Sequence, residues 1–155
     1  MKPGPAETTA VSDADWLNLS EIATVEVASE QDGFPIESAF AGSGGAGWRA
    51  GLAGEQLIRI VFDAPLAVGR IQLRFEERER ERTQQFSLSW CPAAGGVREI
   101  VRQQWNFSPA GSTVEIEDYA VSLEAVSALE LTIRPDLDPG DSVATLASWR
   151  VGGLG

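Results

Sequence analysis

The chain has 155 residues, with 12 lysine and arginine residues against 23 aspartates and glutamates, one cysteine and no histidine. The missing histidine excludes a Ser-His-Asp triad, a Cys-His pair and a His-ligated zinc site, and the lone Cys91 excludes an internal disulfide, a four-cysteine zinc site and an iron–sulfur cluster. The formal net charge of −11 argues against general nucleic-acid binding, because neutralising phosphates requires a basic face.

The first fifteen residues predict a flexible lead-in, because they hold Pro3, Pro5 and several small or polar residues. Residues 16–155 are then expected to form a single domain. We expect no membrane span, since no stretch approaches the roughly 20 consecutive apolar residues that a bilayer requires. The start of the chain also lacks a signal-peptide pattern, so a cytoplasmic location is the default expectation.

Short runs in which apolar and polar residues alternate dominate the rest of the sequence, and turn-forming segments separate them. The predicted strands are residues 22–28, 57–63, 70–75, 85–90, 97–105, 113–123, 129–134 and 143–151. Eight short strands at this spacing predict an all-β fold, namely an antiparallel β-sandwich or jelly roll.

The five tryptophans are expected to differ in role. Trp90, Trp105 and Trp149 fall in phase with apolar strand positions, which predicts that they belong to the core. Trp16 lies near the predicted entry to the domain and is expected to pack over one end of the sandwich. Trp48 follows a run of small residues, and core anchoring is favoured over stacking on a ligand.

Strand parity predicts where a binding site would lie. If consecutive strands run up and down, residues 31–54, 77–83, 106–112 and 135–142 collect at one end, while residues 63–69, 91–96, 124–128 and both termini collect at the other. The first end has the longer loops, and loops on a rigid scaffold usually carry binding residues. We therefore expect the site at the end opposite the termini.

The candidate ligand-binding residues at that end combine planar donors with an aromatic ring. They are Arg49, Arg80, Arg82, Asn106 and Phe107. Arg80 and Arg82 belong to the string Glu76-Glu77-Arg78-Glu79-Arg80-Glu81-Arg82, for which a solvated hairpin tip with cross-strand ion pairs is the simpler alternative. Phe107 is interpreted either as an exposed stacking platform or as a buried plug of its loop.

Several segments are similar to one known family. Asn18-Leu19 followed by residues 25–30 (VEVASE), and residues 35–40 (PIESAF) leading through a glycine-rich loop to Trp48, resemble the opening of discoidin-like domains. Residues 55–63 (EQLIRIVFD) and 71–75 (IQLRF) resemble the second and third strands of these domains. These domains are also called factor V/VIII type C domains and belong to the galactose-binding-like superfamily. The resemblance implies a jelly roll of about eight strands that binds glycans, phospholipid head groups or proteins through loops opposite the termini.

The resemblance also bears on metals. Many family members hold calcium with an Asp-Gly pair and a glutamate near the C-terminal strand, where this chain has Ala41-Gly42 and Ser148. Calcium needs six to eight oxygen ligands, so we expect no structural calcium there. Asp136, Asp138 and Asp141 are interpreted as turn residues, because an Asp/Pro/Gly turn needs no metal. We therefore expect neither a metal nor a cofactor.

These observations favour a non-enzymatic module that binds a carbohydrate or a similar polar ligand through the loop end. The alternative is a protein–protein interaction module with no small ligand, whose acidic surface would favour a basic partner. An enzyme is not expected: the only plausible loop-end acids are Glu37, Glu79, Asp136 and Asp138, and a small sandwich offers little cleft for paired carboxylates.

Overall fold

The computed structural model of the chain describes residues 16–40, 46–138 and 140–153, so the predicted lead-in at residues 1–15 lies outside the described part. Eight strands, a short α-helix and a 3₁₀ helix occur in these ranges. In chain order they are α1 (Leu19–Ile22), β1 (Ala23–Val27), the 3₁₀ helix (Ile36–Phe40), β2 (Trp48–Ala53), β3 (Gln56–Glu76), β4 (Arg82–Pro92), β5 (Arg98–Phe107), β6 (Val114–Arg134), β7 (Val143–Leu146) and β8 (Ser148–Gly152).

Two strands, β3 and β6, are 21 residues long and pair with each other in antiparallel fashion along most of their length. Each joins two segments that the alternation predicts as separate strands. The predicted loops at residues 63–69 and 124–128 are therefore wrong: they are irregular parts of continuous strands. The pairing register shifts three times between Val61 and Arg70 of β3. Such irregularities bend a strand sharply without ending it.

The bends divide the strands between two layers. The first layer has the order β1, the start of β3, the end of β6, β4 and β5. The second has the order β8, the end of β3 and the start of β6, so that β8 pairs with β3 alone. β2 pairs with β7. The interior lies between the layers, where the rings of Phe75 and Phe86 are 5.2 Å apart. The fold is an all-β antiparallel sandwich, as the alternation predicts.

The tryptophans occupy the interior to different degrees. Trp149 and Trp48 are 1% exposed, and the Trp48 indole nitrogen donates a 3.0 Å hydrogen bond to the Ser29 carbonyl oxygen, which confirms the predicted core anchoring. Trp90 and Trp105 are half-buried against the core. Trp16 pairs with Gly152 at the end that holds the termini.

Two local predictions fail near the strands that frame the loops. β2 is absent from the predicted strands because its sequence, Trp-Arg-Ala-Gly-Leu-Ala, shows no sustained alternation. Residues 143–151 form two strands rather than one, and the break at Ala147 changes which side chains face inward. Ala144 and Leu146 are buried in β7, whereas Val143 is half-buried.

Hydrogen bonds join some of the segments that strand parity groups at each end of the sandwich. The prediction is wrong for residues 36–40, which lie beside Asn18, Leu19 and Ser20 rather than at the loop end. At the terminal end, Leu17 N–H donates to the Val151 carbonyl at 2.8 Å. At the loop end, Gly54 N–H donates to Ser142 O at 3.2 Å, and Arg80 pairs with Asp141. Both ends of β3 lead to this loop end because of the bend in the strand.

Cys91 lies near the end of β4, on the side of the sandwich that holds the chain termini, and is buried. Burial raises the pKa of its thiol, the nearby Glu130 raises it further, and Arg59 acts in the opposite direction. A thiol with a raised pKa is a poor nucleophile, which agrees with the inert role predicted for this residue.

Candidate functional site

The loop end carries small clefts separated by a polar ridge. A cleft of about 270 Å³ is lined by Gly54, Glu55, Arg134, Pro135, Asp136, Asp138, Gly140 and Ser142. On the other side, a cleft of about 130 Å³ is lined by Arg49, Glu76, Glu77, Arg78, Glu79 and Thr145. Arg49 and Glu76 also line a hollow of about 80 Å³ beside Trp48.

Arg82 is the buried centre of this end, with no side-chain exposure. Its guanidinium donates to Glu77 Oε1 at 2.7 Å, to the Pro135 carbonyl oxygen at 2.7 Å and to Thr145 Oγ1 at 3.3 Å. These bonds tie together three segments that are distant in the sequence. Arg82 is therefore a structural strut, and its predicted role as a ligand contact is wrong because a ligand cannot reach it.

Glu77, which Arg82 holds in place, fixes the backbone of the turn that follows β3. Its Oε2 accepts hydrogen bonds from the backbone N–H groups of Glu79 at 3.1 Å and Arg80 at 3.3 Å. Burial alone would raise the pKa of the Glu77 carboxyl, but the bonds from Arg82 and from these N–H groups lower it below its usual value. Glu77 is therefore ionised at neutral pH and fixes the position of Arg80.

Arg80 forms the ridge between the two clefts. Its side chain is half exposed, and its Nη1 lies 2.6 Å from Asp141 Oδ1 and 3.4 Å from Ser142 Oγ. The adjacent Arg80 guanidinium lowers the pKa of the Asp141 carboxyl. The Asp136 carboxylate accepts a bond from the Asp138 N–H at 3.2 Å, an arrangement typical of a turn.

Arg49 lies against an aromatic ring that the sequence analysis did not select. The Arg49 guanidinium carbon is 4.8 Å from the centre of the Phe34 ring, and the backbone N–H of Arg49 donates to the Phe34 carbonyl oxygen at 3.3 Å. Both side chains are half-buried, so part of the pair is available to a ligand. The signal in the sequence was Phe34 between Gly33 and Pro35, an aromatic residue in a turn.

The two remaining predicted contact residues, Phe107 and Asn106, differ in their exposure. Phe107 has 0% exposure and lies under Arg82, with 4.9 Å between the guanidinium carbon and the ring centre. The exposed-platform interpretation of Phe107 is therefore wrong, and the buried plug is correct. Asn106 is exposed beside it, and its Oδ1 accepts a 2.9 Å bond from Thr83 Oγ1.

Beneath the loop end, a polar chain extends into the sandwich. Gln84 Oε1 accepts a bond from Arg82, and Gln84 Nε2 donates to Glu115 Oε1 at 3.3 Å. Burial raises the pKa of Glu115 to about 9, and the neighbouring Glu117 contributes to the rise. No donor among the described residues reaches Glu115 Oε2. The raised pKa means that Glu115 is protonated and uncharged at neutral pH.

Across the described ranges, no group of three or more Cys, Asp or Glu side chains could hold a metal ion. Ala41-Gly42 of the expected calcium position lie outside the described residues, and Ser148 lies opposite Arg74 in the β3–β8 pair. None of the helices in the described ranges is long and apolar enough to cross a membrane.

No protein-family model matches the chain, and no curated protein matches it either. Several solved structures match the chain. The family 32 carbohydrate-binding module of NanJ from Clostridium perfringens, in complex with galactose, is 17% identical, with a TM-score of 0.62 over 88% of this chain and 97% of that one. A second such module, from a family 31 glycoside hydrolase of the same organism, is 16% identical, with a TM-score of 0.64 over 91% of this chain and 96% of that one.

A third match is the family 32 module of AlyQ in complex with 4,5-unsaturated mannuronic acid. It is 17% identical, with a TM-score of 0.60 over 84% of this chain and 94% of that one. At such low identity the similarity bears on the fold alone. Each of these alignments covers at least 84% of this chain and at least 94% of the other. This chain therefore has the discoidin-like, galactose-binding-like fold that the family 32 carbohydrate-binding modules share.

Proposed function

We propose that this chain is a non-catalytic carbohydrate-binding module whose ligand lies at the loop end. The observation that carries the proposal is the near full-length match to carbohydrate-binding modules, two of which are in complex with sugars. The geometry supports it, because polar clefts lie at the end opposite the termini. Fold similarity alone does not fix function, so the proposal depends on these side chains.

The proposed contacts are the polar and aromatic groups that the scaffold leaves accessible. Arg49 offers planar donors beside the Phe34 ring, and Arg80 is half exposed on the ridge beside Asp141. Asn106 is exposed at the neighbouring strand end. Guanidinium and amide groups can donate to vicinal hydroxyls, while an aromatic ring packs against the C–H groups of a sugar. Arg82 and Phe107 hold these groups in place from beneath.

We further propose a neutral rather than an anionic sugar. Carboxylates outnumber guanidiniums in the described lining of both loop-end clefts. In the 270 Å³ cleft Glu55, Asp136 and Asp138 face Arg134, and in the 130 Å³ cleft that Arg49 lines, Glu76, Glu77 and Glu79 face Arg49 and Arg78. A uronate would meet like charge at these positions, which disfavours its binding. The volumes of both loop-end clefts are below the range typical for drug-sized ligands, which suits one or two sugar residues.

The test is titration calorimetry with galactose, N-acetylgalactosamine, glucose, galacturonate and a neutral oligosaccharide panel. Arg49→Ala should lower the affinity for the best sugar by about tenfold or more, because a hydrogen bond to a charged group contributes roughly 1.5–3 kcal/mol. Arg102→Ala is the matched control, since Arg102 is exposed on β5 and pairs with Glu99. Absence of binding to every sugar, or equal losses in both variants, would refute the proposal.

A further inference from the structure

A further cleft, of about 640 Å³, lies between β1 and the 3₁₀ helix, away from the three at the loop end. It has more than twice the volume of the larger loop-end cleft. Its described lining consists of Asn18, Leu19 and Ser20 from the region of α1, then Ala23, Thr24 and Val25 from β1, and Ile36, Glu37 and Phe40 from the 3₁₀ helix. None of these residues belongs to the candidate sugar site.

The cleft runs along the edge of β1 rather than over one of its faces. Successive side chains of a strand point to opposite faces, so a cavity lined by Ala23, Thr24 and Val25 in succession borders the backbone edge. The other edge of β1 pairs with β3, and no described residue of β3 lines the cleft. β1 is also the outermost strand of its layer.

The hydrogen bonds of the α1–β1 junction show which backbone groups face this edge. Ala23 N–H donates to the Leu19 carbonyl oxygen, so it is not directed at β3. In an antiparallel pair, residues that bond the partner strand alternate with residues that do not. Thr24 and Glu26 therefore bond to β3, while the N–H and C=O groups of Val25 and Val27 point away from β3. Those of Val25 face the cleft, and those of Val27 lie on the same edge just beyond its lining.

An edge that no other described strand pairs with is a template for another strand unless charges or prolines block it. β1 carries no proline, and its one charged residue, Glu26, is paired with Arg59 at 3.5 Å. The opposite wall is apolar where Ile36 and Phe40 line it, and Glu37 adds an exposed carboxylate to the rim. Glu21 of α1 is a second exposed carboxylate close by.

We propose that this cleft binds an extended segment of a partner protein, which pairs with β1 as an additional strand. Backbone bonds to Val25 and Val27 would provide affinity, and the alternate side chains of the segment would provide specificity. The walls select small apolar residues that point inward and lysine or arginine residues near Glu37 and Glu21. A second copy of this chain is disfavoured, because it would bring the same glutamates and a further charge of −11.

The test uses the full chain, labelled with ¹⁵N, and a synthetic acetylated and amidated peptide of sequence Val-Lys-Val-Lys-Val-Lys-Val at physiological salt. Amide exchange measured by NMR should slow by about tenfold or more at Val25 and Val27 when the peptide is saturating. Exchange at Thr24 and Glu26 should change much less, because their N–H groups already bond β3. This alternation is a signature that non-specific attraction to an acidic protein would not produce.

Two charge variants separate docking from general electrostatics. Glu37→Lys should weaken binding of the lysine peptide by about fivefold or more and strengthen binding of the matching Val-Glu peptide. Glu124→Lys makes the same charge change at an exposed residue near the far bend of β6, and it should leave both affinities nearly unchanged. Val25→Pro removes the N–H group that the partner strand needs and should abolish binding.

Several results would overturn the proposal. Binding that leaves exchange at Val25 and Val27 unchanged would place the peptide elsewhere. Equal effects of Glu37→Lys and Glu124→Lys on affinity would show that the peptide responds only to the net charge of the protein. Protection of Val25 and Val27 in the free protein would show that the edge is already covered. If that protection rises with protein concentration, the occupant is a second copy; if it does not, the occupant is another part of this chain.

Discussion

Arg82 Nε donates a 2.7 Å hydrogen bond to Glu77 Oε1 from a side chain that has no solvent exposure. The two residues are five positions apart at opposite ends of a turn, and Arg82 also donates to the Pro135 carbonyl oxygen and to Thr145 Oγ1. The pair fixes the turn at the loop end: Arg82 has no solvent exposure, and Glu77 is largely buried at the floor of the 130 Å³ cleft. Its contribution should therefore appear first in stability and only indirectly in ligand affinity.

Arg82→Met is expected to lower the free energy of unfolding by about 3–5 kcal/mol, because it leaves the Glu77 carboxylate buried without its partner. Arg102→Met removes an exposed pair with Glu99 and should cost at most about 1 kcal/mol. Urea denaturation followed by tryptophan fluorescence measures both. Similar losses in the two variants would mean that Arg82 is not a buried strut.

Glu115→Gln is expected to stabilise the protein at neutral pH. The folded-state pKa of Glu115 is about 9, above the ordinary value of 4.5, so its favourable contribution is complete below about pH 4.5 and is lost as the pH rises towards 9. Glutamine keeps the oxygen that accepts from Gln84, supplies N–H groups towards Glu117 and cannot ionise. The free energy of unfolding at pH 7 should rise by about 1–3 kcal/mol.

The measurement is denaturation at several pH values between 4.5 and 9, where the gain of Glu115→Gln should increase with pH. Glu124→Gln serves as the control, because Glu124 is exposed on the same strand. A gain that does not depend on pH would show that Glu115 is ionised in the folded protein.

Phe107→Ala is expected to cost about 3–5 kcal/mol of stability, because a fully buried ring is removed from beneath Arg82. Phe107→Leu should cost less and keep the affinity for any sugar that the wild type binds. Thermal denaturation and titration calorimetry measure the two properties separately. Unchanged stability with lost sugar affinity would instead indicate an exposed stacking platform.

Gly51→Ala is expected to destabilise β2 and the adjoining loop by about 1–3 kcal/mol. A Cβ atom at position 51 would lie 2.8 Å from the Glu30 carbonyl oxygen, which is backbone and cannot move aside cheaply. Gly111→Ala is the matched control, since a Cβ there meets no atom within 4 Å. Melting temperatures should separate the variants, and equal values would mean that the loop near Glu30 adapts freely.

The sequence predicts the fold well because alternation reports directly on burial. In β4, Phe86 and Leu88 fall on the inner face, as the pattern indicates, and the same holds for Leu73 and Phe75 in β3. The bends are harder to predict, since a strand that changes layers has the same composition at its bend as a surface loop. Residues 63–69 contain proline and glycine and therefore resemble a turn.

The site is predicted less well than the fold, and Arg82 shows why. In the sequence it ends a string of alternating glutamates and arginines, which is typical of a solvated tip. Its burial depends on Pro135 and Thr145, 53 and 63 positions further along the chain. Local pattern carries no information about such distant partners, so the end of the sandwich is predictable but the exposure of individual side chains is not.

The division of β3 and β6 between the two layers makes the layers interdependent. Neither sheet can lose its ordered strands while the other keeps its own, because the same two chain segments run through both. Partial unfolding of one face therefore has no stable end point. The expected result is a single cooperative melting transition, with a van't Hoff enthalpy equal to the calorimetric one.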